Sequence, residues 1–226
     1  MKIKLAKYIL MRYLFYYTGV FLIAFSSCNF RPYNKYNVAE DTQENYGAQI
    51  QKQAELFNLP ASYLRALVVI EVSGNKQIPH RFEPHVYAKL KKVKNGELKR
   101  FENITPELLK NTPDSTLKEM AKSWGPYQIM GYKCVFLHIS VEELKKNSLF
   151  FGARWIDLSY GDLLRAKDYK NAFHFHNAGK LYPDSGPPLT YDKNYVHNGL
   201  MYLRYFEKKD SIQRANKNRV NVRLTD

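Results

Sequence analysis

The stretch ASYLRALVVIEVSGN, Ala61–Asn75, sets the frame for the whole chain. Pro60 suits the first turn of a helix, Ala61 to Val72 contains no helix breaker, and Ser73-Gly74-Asn75 supplies a stop. Within it Leu64, Leu67, Val68 and Glu71 fall at i, i+3, i+4 and i+7, so a carboxylic acid shares the face that the helix uses for its core. Keeping such a group ionised among apolar neighbours is costly, which pushes its pKa towards neutrality. A carboxylic acid that is still protonated near pH 7 can donate its proton to a leaving oxygen. Periodicity alone leaves a second reading open, in which Glu71 turns to solvent at the helix end or pairs with one of the many Lys and Arg residues.

Working outward, the pattern is helical from Thr42 to Leu59, with Tyr46, Ile50, Gln53, Ala54 and Phe57 on one stripe. Residues 76–120 mix charge with short apolar pieces and could hold a small β element near 76–104. Within them the cationic run Lys89–Lys94 reads as a solvated helix face, and Thr105-Pro106 as a cap and first helical position. Ser123-Trp124-Gly125-Pro126 breaks the chain, and a short helix is expected from Tyr127 to Met130. Val141 to Leu164 predicts one or two helices with Phe150, Phe151, Trp155 and Leu158 in the core. Asn177-Ala178-Gly179 and a Pro/Gly-rich loop precede a last helix from about Lys193 to Phe206. No strong period-2 pattern and no repeat is visible, so the fold class is mainly α with at most a small β element.

Three segments in order carry a family resemblance. ALVVIEVSGN (Ala66–Asn75) resembles the segment bearing the catalytic glutamate in goose-type lysozymes and lytic transglycosylases. SWGPYQIMG (Ser123–Gly131) is similar to the Gly-x-x-Gln-Ile turn of that superfamily, and FHNAG (Phe175–Gly179) to its Tyr-Asn-Ala-Gly segment. A fourth, RFEPHVYAKL (Arg81–Leu90), resembles the Phe-Glu-Pro-His block of the N-acetylmuramidase branch found in phage endolysins and bacterial cell-wall enzymes. The resemblance implies a two-lobed, lysozyme-like helical domain over residues 46–207, with a cleft that takes peptidoglycan. It implies cleavage of the β-1,4 bond between N-acetylmuramic acid and N-acetylglucosamine, with no cofactor. Glu71 would be the general acid and Glu83 the second catalytic carboxylate, unless Glu83 and His85 are structural.

The same resemblance makes Ser73, Gly125, Tyr127, Gln128, His176 and Asn177 substrate-binding. Gln128 would face the cleft and hydrogen-bond an N-acetyl or hydroxyl group, while Gly125 and Pro126 shape the turn. One position departs from the family: His176 stands where a Tyr usually precedes Asn-Ala-Gly, which leaves its role open. Two outcomes other than hydrolysis also stay open, a transglycosylase giving 1,6-anhydro ends and a wall-binding protein without turnover. His174, His176 and His197 follow no metal-site spacing, so no metal is expected.

At the start, Lys2, Lys4, Lys7 and Arg12 precede an apolar run from Leu14 to Phe25, followed by Ser26-Ser27-Cys28. A positive start, a short greasy middle and small residues form an export signal, 1–27, and a run of roughly 12 residues is short of the roughly 20 needed to span a bilayer. Cys28 after two small residues resembles the lipobox of bacterial lipoproteins. By that resemblance it would be acylated and hold a monomeric protein at a membrane facing the periplasm or cell envelope, with 28–45 as a tether. Loss of the leader lowers the net charge of +14 by four to +10, which still suits a carboxylate-bearing wall. Export removes most of the case for nucleic acid as a partner. Cys134, then the only cysteine, is expected as a small buried hydrophobe, and 208–226 as a frayed basic tail. Replacing Cys28 with Ala is expected to abolish palmitate labelling and release the protein from the membrane fraction; retained label on the variant would contradict the lipobox reading.

Overall fold

The computed structural model describes residues 35–223; the expected leader, Cys28 and the first part of the tether lie outside them. The chain is mainly helical, with ten helices and one two-stranded sheet among the described residues. Its first two helices are α1, Lys35–Phe57, and α2, Ala61–Val72. The last is α10, Tyr195–Arg223, and α2 packs between α1 and α10. Tyr63, Leu64, Ala66, Leu67 and Val68 are wholly buried there. Each large apolar side chain removed from water stabilises the fold by roughly 1.5–3 kcal/mol. Three such neighbours, Leu64, Leu67 and Val68, outweigh the cost of carrying one acid at the end of the same helix.

α1 begins ten or so residues before the expected domain boundary, so the tether assigned to 28–45 is corrected from residue 35 onward. The cause is a stripe broken up by polar residues: Val38, Ala39 and Thr42 are buried and continue the face of Tyr46, Ile50 and Ala54. The Thr42 hydroxyl donates to the Val38 carbonyl at 2.8 Å, so this polar group is satisfied inside its own helix. Arg65 ties the three helices together. It donates to Gln43 Oε1 on α1 at 2.9 Å, pairs with Asp210 on α10, and lies 5.0 Å above the Phe206 ring. With Asp210 engaged in this way, the expected frayed tail from 208 is instead a continuation of α10 to Arg223.

The remaining elements are α3 (Pro84–Lys94), α4 (Pro106–Leu109), α5 (Asp114–Met120), β1 (Ser123–Trp124), β2 (Ile129–Met130), α6 (Lys133–Leu137), α7 (Val141–Lys146), α8 (Ser148–Arg165) and α9 (Tyr169–Ala178). They complete two apolar clusters. The first joins α1, α2, α8, α9 and α10 around Ile50, Leu67, Ile156, Phe173 and Phe206. The second gathers Leu90, Ile104, Leu117, Trp124 and Leu144, and includes Cys134 as a buried free thiol. Phe151 and Ile139 pack against both.

Three local expectations change. Residues 127–130 form no helix: β1 and β2 pair antiparallel, Ser123 with Met130 and Trp124 with Ile129, closed by a turn with Gly125 at φ 73° and Gln128 at φ 48°. Two left-handed residues in four suit a hairpin and stop a helix from propagating. Phe82 bridges Lys122 beside β1, so the β element expected near 76–104 is reduced to isolated bridges there. Phe150 and Leu158 are exposed, because α8 buries the face of Gly152, Ala153, Ile156 and Tyr160 instead. Thr105 precedes α4 without a side-chain capping bond.

Gly74 joins α2 to α1 with φ at 71°, and a Cβ there would come within 2.8 Å of the Thr42 nitrogen and the Val38 carbonyl. Gly74→Ala is expected to destabilise the fold by about 2–4 kcal/mol, from left-handed strain plus forced packing against backbone. Thermal melts should show a fall of roughly 5–15 °C; an unchanged midpoint would contradict this packing.

Candidate functional site

Glu71 lies in the last turn of α2, ahead of Ser73, whose left-handed conformation (φ 52°) ends the helix with its N–H bonded to the Val69 carbonyl. The carboxyl side chain is 15% exposed, so it is mostly removed from water while still reachable. Burial pushes its pKa up from 4.5 to about 7; a hydrogen bond from the Tyr195 hydroxyl and the positive charge of Arg81 pull the other way without cancelling it. Tyr195 opens α10 and donates to Glu71 Oε1. The helix that covers α2 thus also fixes its acid.

His176, on α9, brings Nε2 to 3.6 Å from the same Glu71 oxygen. That is too long for a hydrogen bond, and the ring is committed elsewhere. Nε2 is 3.0 Å from the Tyr127 carbonyl, and Nδ1 is 2.7 Å from the Tyr160 hydroxyl. A carbonyl can only accept, so this network assigns the proton to Nε2, with Tyr160 donating to Nδ1. The Tyr63 hydroxyl in turn reaches Tyr160 at 3.4 Å. Burial pushes the His176 pKa down to about 4 and the nearby Lys133 charge lowers it too, against the opposing Tyr127 bond. The ring is therefore neutral at pH 7, and the Glu71 carboxyl faces an uncharged group.

His176 also walls a cavity of about 400 Å³ together with Gln128, Asn177, Glu102, Lys133 and Trp155. Its size falls in the range of small-molecule sites. A smaller recess of about 110 Å³ shares Glu102, Lys133, Trp155 and Phe175 with it. Glu102 is clamped: its oxygens accept from Tyr132 at 2.6 Å and Lys133 at 2.5 Å, and its φ is 50°. Lys133 lies 5.2 Å over the Trp155 ring. Charged groups above aromatic walls offer both hydrogen bonds and stacking.

Of the residues expected from sequence, Gln128, His176 and Asn177 come together on this cavity; Glu71 is not among its lining residues and neighbours it only through His176, 3.6 Å away. The Gln128 carboxamide is partly used in its own turn, accepting from Ser123 Oγ at 2.6 Å and donating to the Gly125 carbonyl at 3.0 Å. Asn177 Oδ1 accepts from the Tyr191 N–H at 3.2 Å. Tyr127 differs from expectation: its side chain is wholly buried, so no ligand can touch it, and its part is the carbonyl that orients His176. Ser73 is exposed at the helix end, and Gly125 packs against the start of α8. Glu83 stands before α3 on a segment bonded to β1, with Ser123 N–H to the Arg81 carbonyl at 3.0 Å. Arg81 Nε approaches Glu83 Oε1 to 2.5 Å, but no aligned hydrogen bond reaches that oxygen, so the contact is charge pairing. The Arg81 charge also acts, more weakly, on Glu71.

Tyr195, Tyr160, Glu102 and Lys133 were not singled out by sequence. None lies in a motif, and each acts through tertiary contact with an element distant in the chain. The histidine pair is not arranged as ligands: His174 donates from Nδ1 to the Lys180 carbonyl at 2.7 Å and accepts the Leu189 N–H on Nε2 at 2.9 Å. Among the described residues no group of three or more His, Cys, Asp or Glu is placed to hold a metal ion, and no helix is long and apolar enough to cross a membrane. No protein-family model matches the chain, and no match is found among curated proteins or solved structures.

The raised pKa has a stability consequence. The folded chain keeps a proton on Glu71 that the unfolded chain releases, so stability is lost as pH rises from about 4.5 to about 7 and stays lower above that. Glu71→Gln lacks this loss. Urea midpoints are expected to show the variant gaining on the native protein between about pH 4 and pH 8, and a constant difference across that range would contradict a buried, proton-holding Glu71.

Proposed function

We propose that the chain is a peptidoglycan-cleaving glycosidase of the lysozyme-like kind, acting on the β-1,4 bond between N-acetylmuramic acid and N-acetylglucosamine. The observation that carries the reading is the Glu71 carboxyl, held by burial at a pKa of about 7 beside a neutral histidine that walls a sugar-sized cavity. In this proposal the protonated Glu71 gives its proton to the glycosidic oxygen as the bond to the anomeric carbon breaks. Positive charge then develops on the ring carbon and its oxygen, and the carboxylate left behind stabilises it. Tyr195 keeps Glu71 Oε1 fixed throughout.

The four sequence segments support the family reading, and the two apolar clusters suit two lobes with a cleft between them. Trp155 and Phe175 are the aromatic surfaces available to a sugar ring, with Glu102 and Lys133 to meet its hydroxyl and N-acetyl groups. Glu83 is the proposed second carboxylate, activating water for hydrolysis; attack by the sugar's own 6-hydroxyl would give a 1,6-anhydro end instead. The basic surface and an acylated Cys28 would hold the enzyme between membrane and wall, in the periplasm or cell envelope.

Purified peptidoglycan should lose turbidity with the native protein, and Glu71→Gln should slow this by about 10²–10⁴-fold. The native rate should fall as pH rises through about 7, where Glu71 gives up its proton. Equal rates for the two proteins would remove Glu71 from the chemistry. Mass spectrometry of the products reads reducing against 1,6-anhydro ends.

A further inference from the structure

At the other end of the 125–128 turn lies a second cavity, of about 420 Å³, whose chemistry differs from the first. Its walls carry Lys76, His80, Lys145 and the Ser148 hydroxyl around the half-buried Ile78 and the edge of the buried Trp124, and no Asp or Glu lines it. The Trp124 indole N–H is committed to the Glu119 carbonyl at 3.0 Å and the ring is buried, so this residue shapes the cavity rather than contacting a ligand broadly. His80 lies against that ring with centroids 4.1 Å apart, and Lys145 Nζ stands 4.9 Å from it. Lys145 is partly neutralised by Glu119 at 3.3 Å and Glu142 at 3.0 Å. Among the described residues no carboxylate pairs with Lys76, which is exposed at the rim and is the charge left to attract an anion.

Gly125 walls this cavity and Gln128 walls the other. Three residues of backbone span at most about 11 Å, so a single branched ligand can enter both. The wall between them is stiff, because a Cβ on Gly125 would fall 2.4 Å from Ser148 Cβ and Oγ, leaving no slack between the turn and the start of α8. We infer that this second cavity binds the carboxylate-bearing peptide that hangs from a glycan strand, while the strand itself occupies the first. The inference rests on the proposed glycan-cleaving function. An anion alone would leave the half-buried Ile78 unused, whereas a short peptide brings an aliphatic side chain to it and a carboxylate to Lys76.

The test uses the full-length chain and its K76E variant, with thermal melts to confirm that both fold alike. Calorimetric titration with an alanyl-γ-glutamyl-lysine tripeptide should show binding to the native protein, weakened about two- to fivefold in K76E and in a carboxamide form of the peptide. In parallel, K76E should raise KM on peptide-bearing strands by a similar factor while leaving cleavage of amidase-stripped strands unchanged. No tripeptide binding by the native protein, or an equal effect of K76E on both kinds of strand, overturns the inference. So does loss of binding to phosphatidylglycerol vesicles in K76E with tripeptide binding intact, which assigns the cavity to a lipid surface. If the tripeptide binds but neither strand is cut, the cavity assignment stands and the glycosidase reading fails.

Discussion

The hydrogen bond from Tyr195 to Glu71 joins the two requirements that this structure has to meet at once. A helix that is buried on nearly every side must keep an acid at its end, and that acid must hold its proton. From a value of 4.5 to about 7, the penalty on the ionised form is about 3 kcal/mol at most, since the side chain keeps 15% exposure. The wholly buried Leu64, Leu67 and Val68 on the same face supply more than that, so α2 forms despite the penalty. Tyr195 satisfies one carboxyl oxygen whether or not the group is ionised, which orients it without abolishing its raised pKa.

Around that pair, each element contributes one constraint. α9 delivers His176, and the hairpin turn delivers the Tyr127 carbonyl that fixes which ring nitrogen is protonated. Tyr160 sits where α8 departs from helical geometry (φ −150°, ψ 21°), and its hydroxyl meets His176 Nδ1. A neutral His176 matters electrostatically: an imidazolium 3.6 Å from Glu71 would favour the carboxylate and draw its pKa back down. Arg81 already exerts some of that pull, without cancelling the effect of burial.

Much of this was legible in the chain. The limits of α2, the stop at Ser73-Gly74-Asn75 and the burial of Leu64, Leu67 and Val68 follow from periodicity and capping, which are local. The expectation that Gln128, His176 and Asn177 share one site rests on the family resemblance of their segments and not on periodicity or spacing. What escaped depends on tertiary contact. Val38, Ala39 and Thr42 were hidden among polar neighbours and show their face only once Gly74 and α2 are packed on them. Phe150 and Leu158 are apolar yet exposed, because α8 turns a different face inward. Tyr195 sits at an ordinary helix start, and only the approach of α10 to α2 gives its hydroxyl a partner 124 residues away. Glu102 shows no sequence sign of the left-handed backbone that clamps it against Tyr132 and Lys133.

The proton on Glu71 can be observed directly. Selective ¹³C labelling of glutamate side chains, with assignment by comparison to Glu71→Gln, lets the Glu71 carboxyl be titrated by NMR in the intact fold. A midpoint near 7 is the predicted result, and a midpoint near the ordinary 4.5 would contradict it.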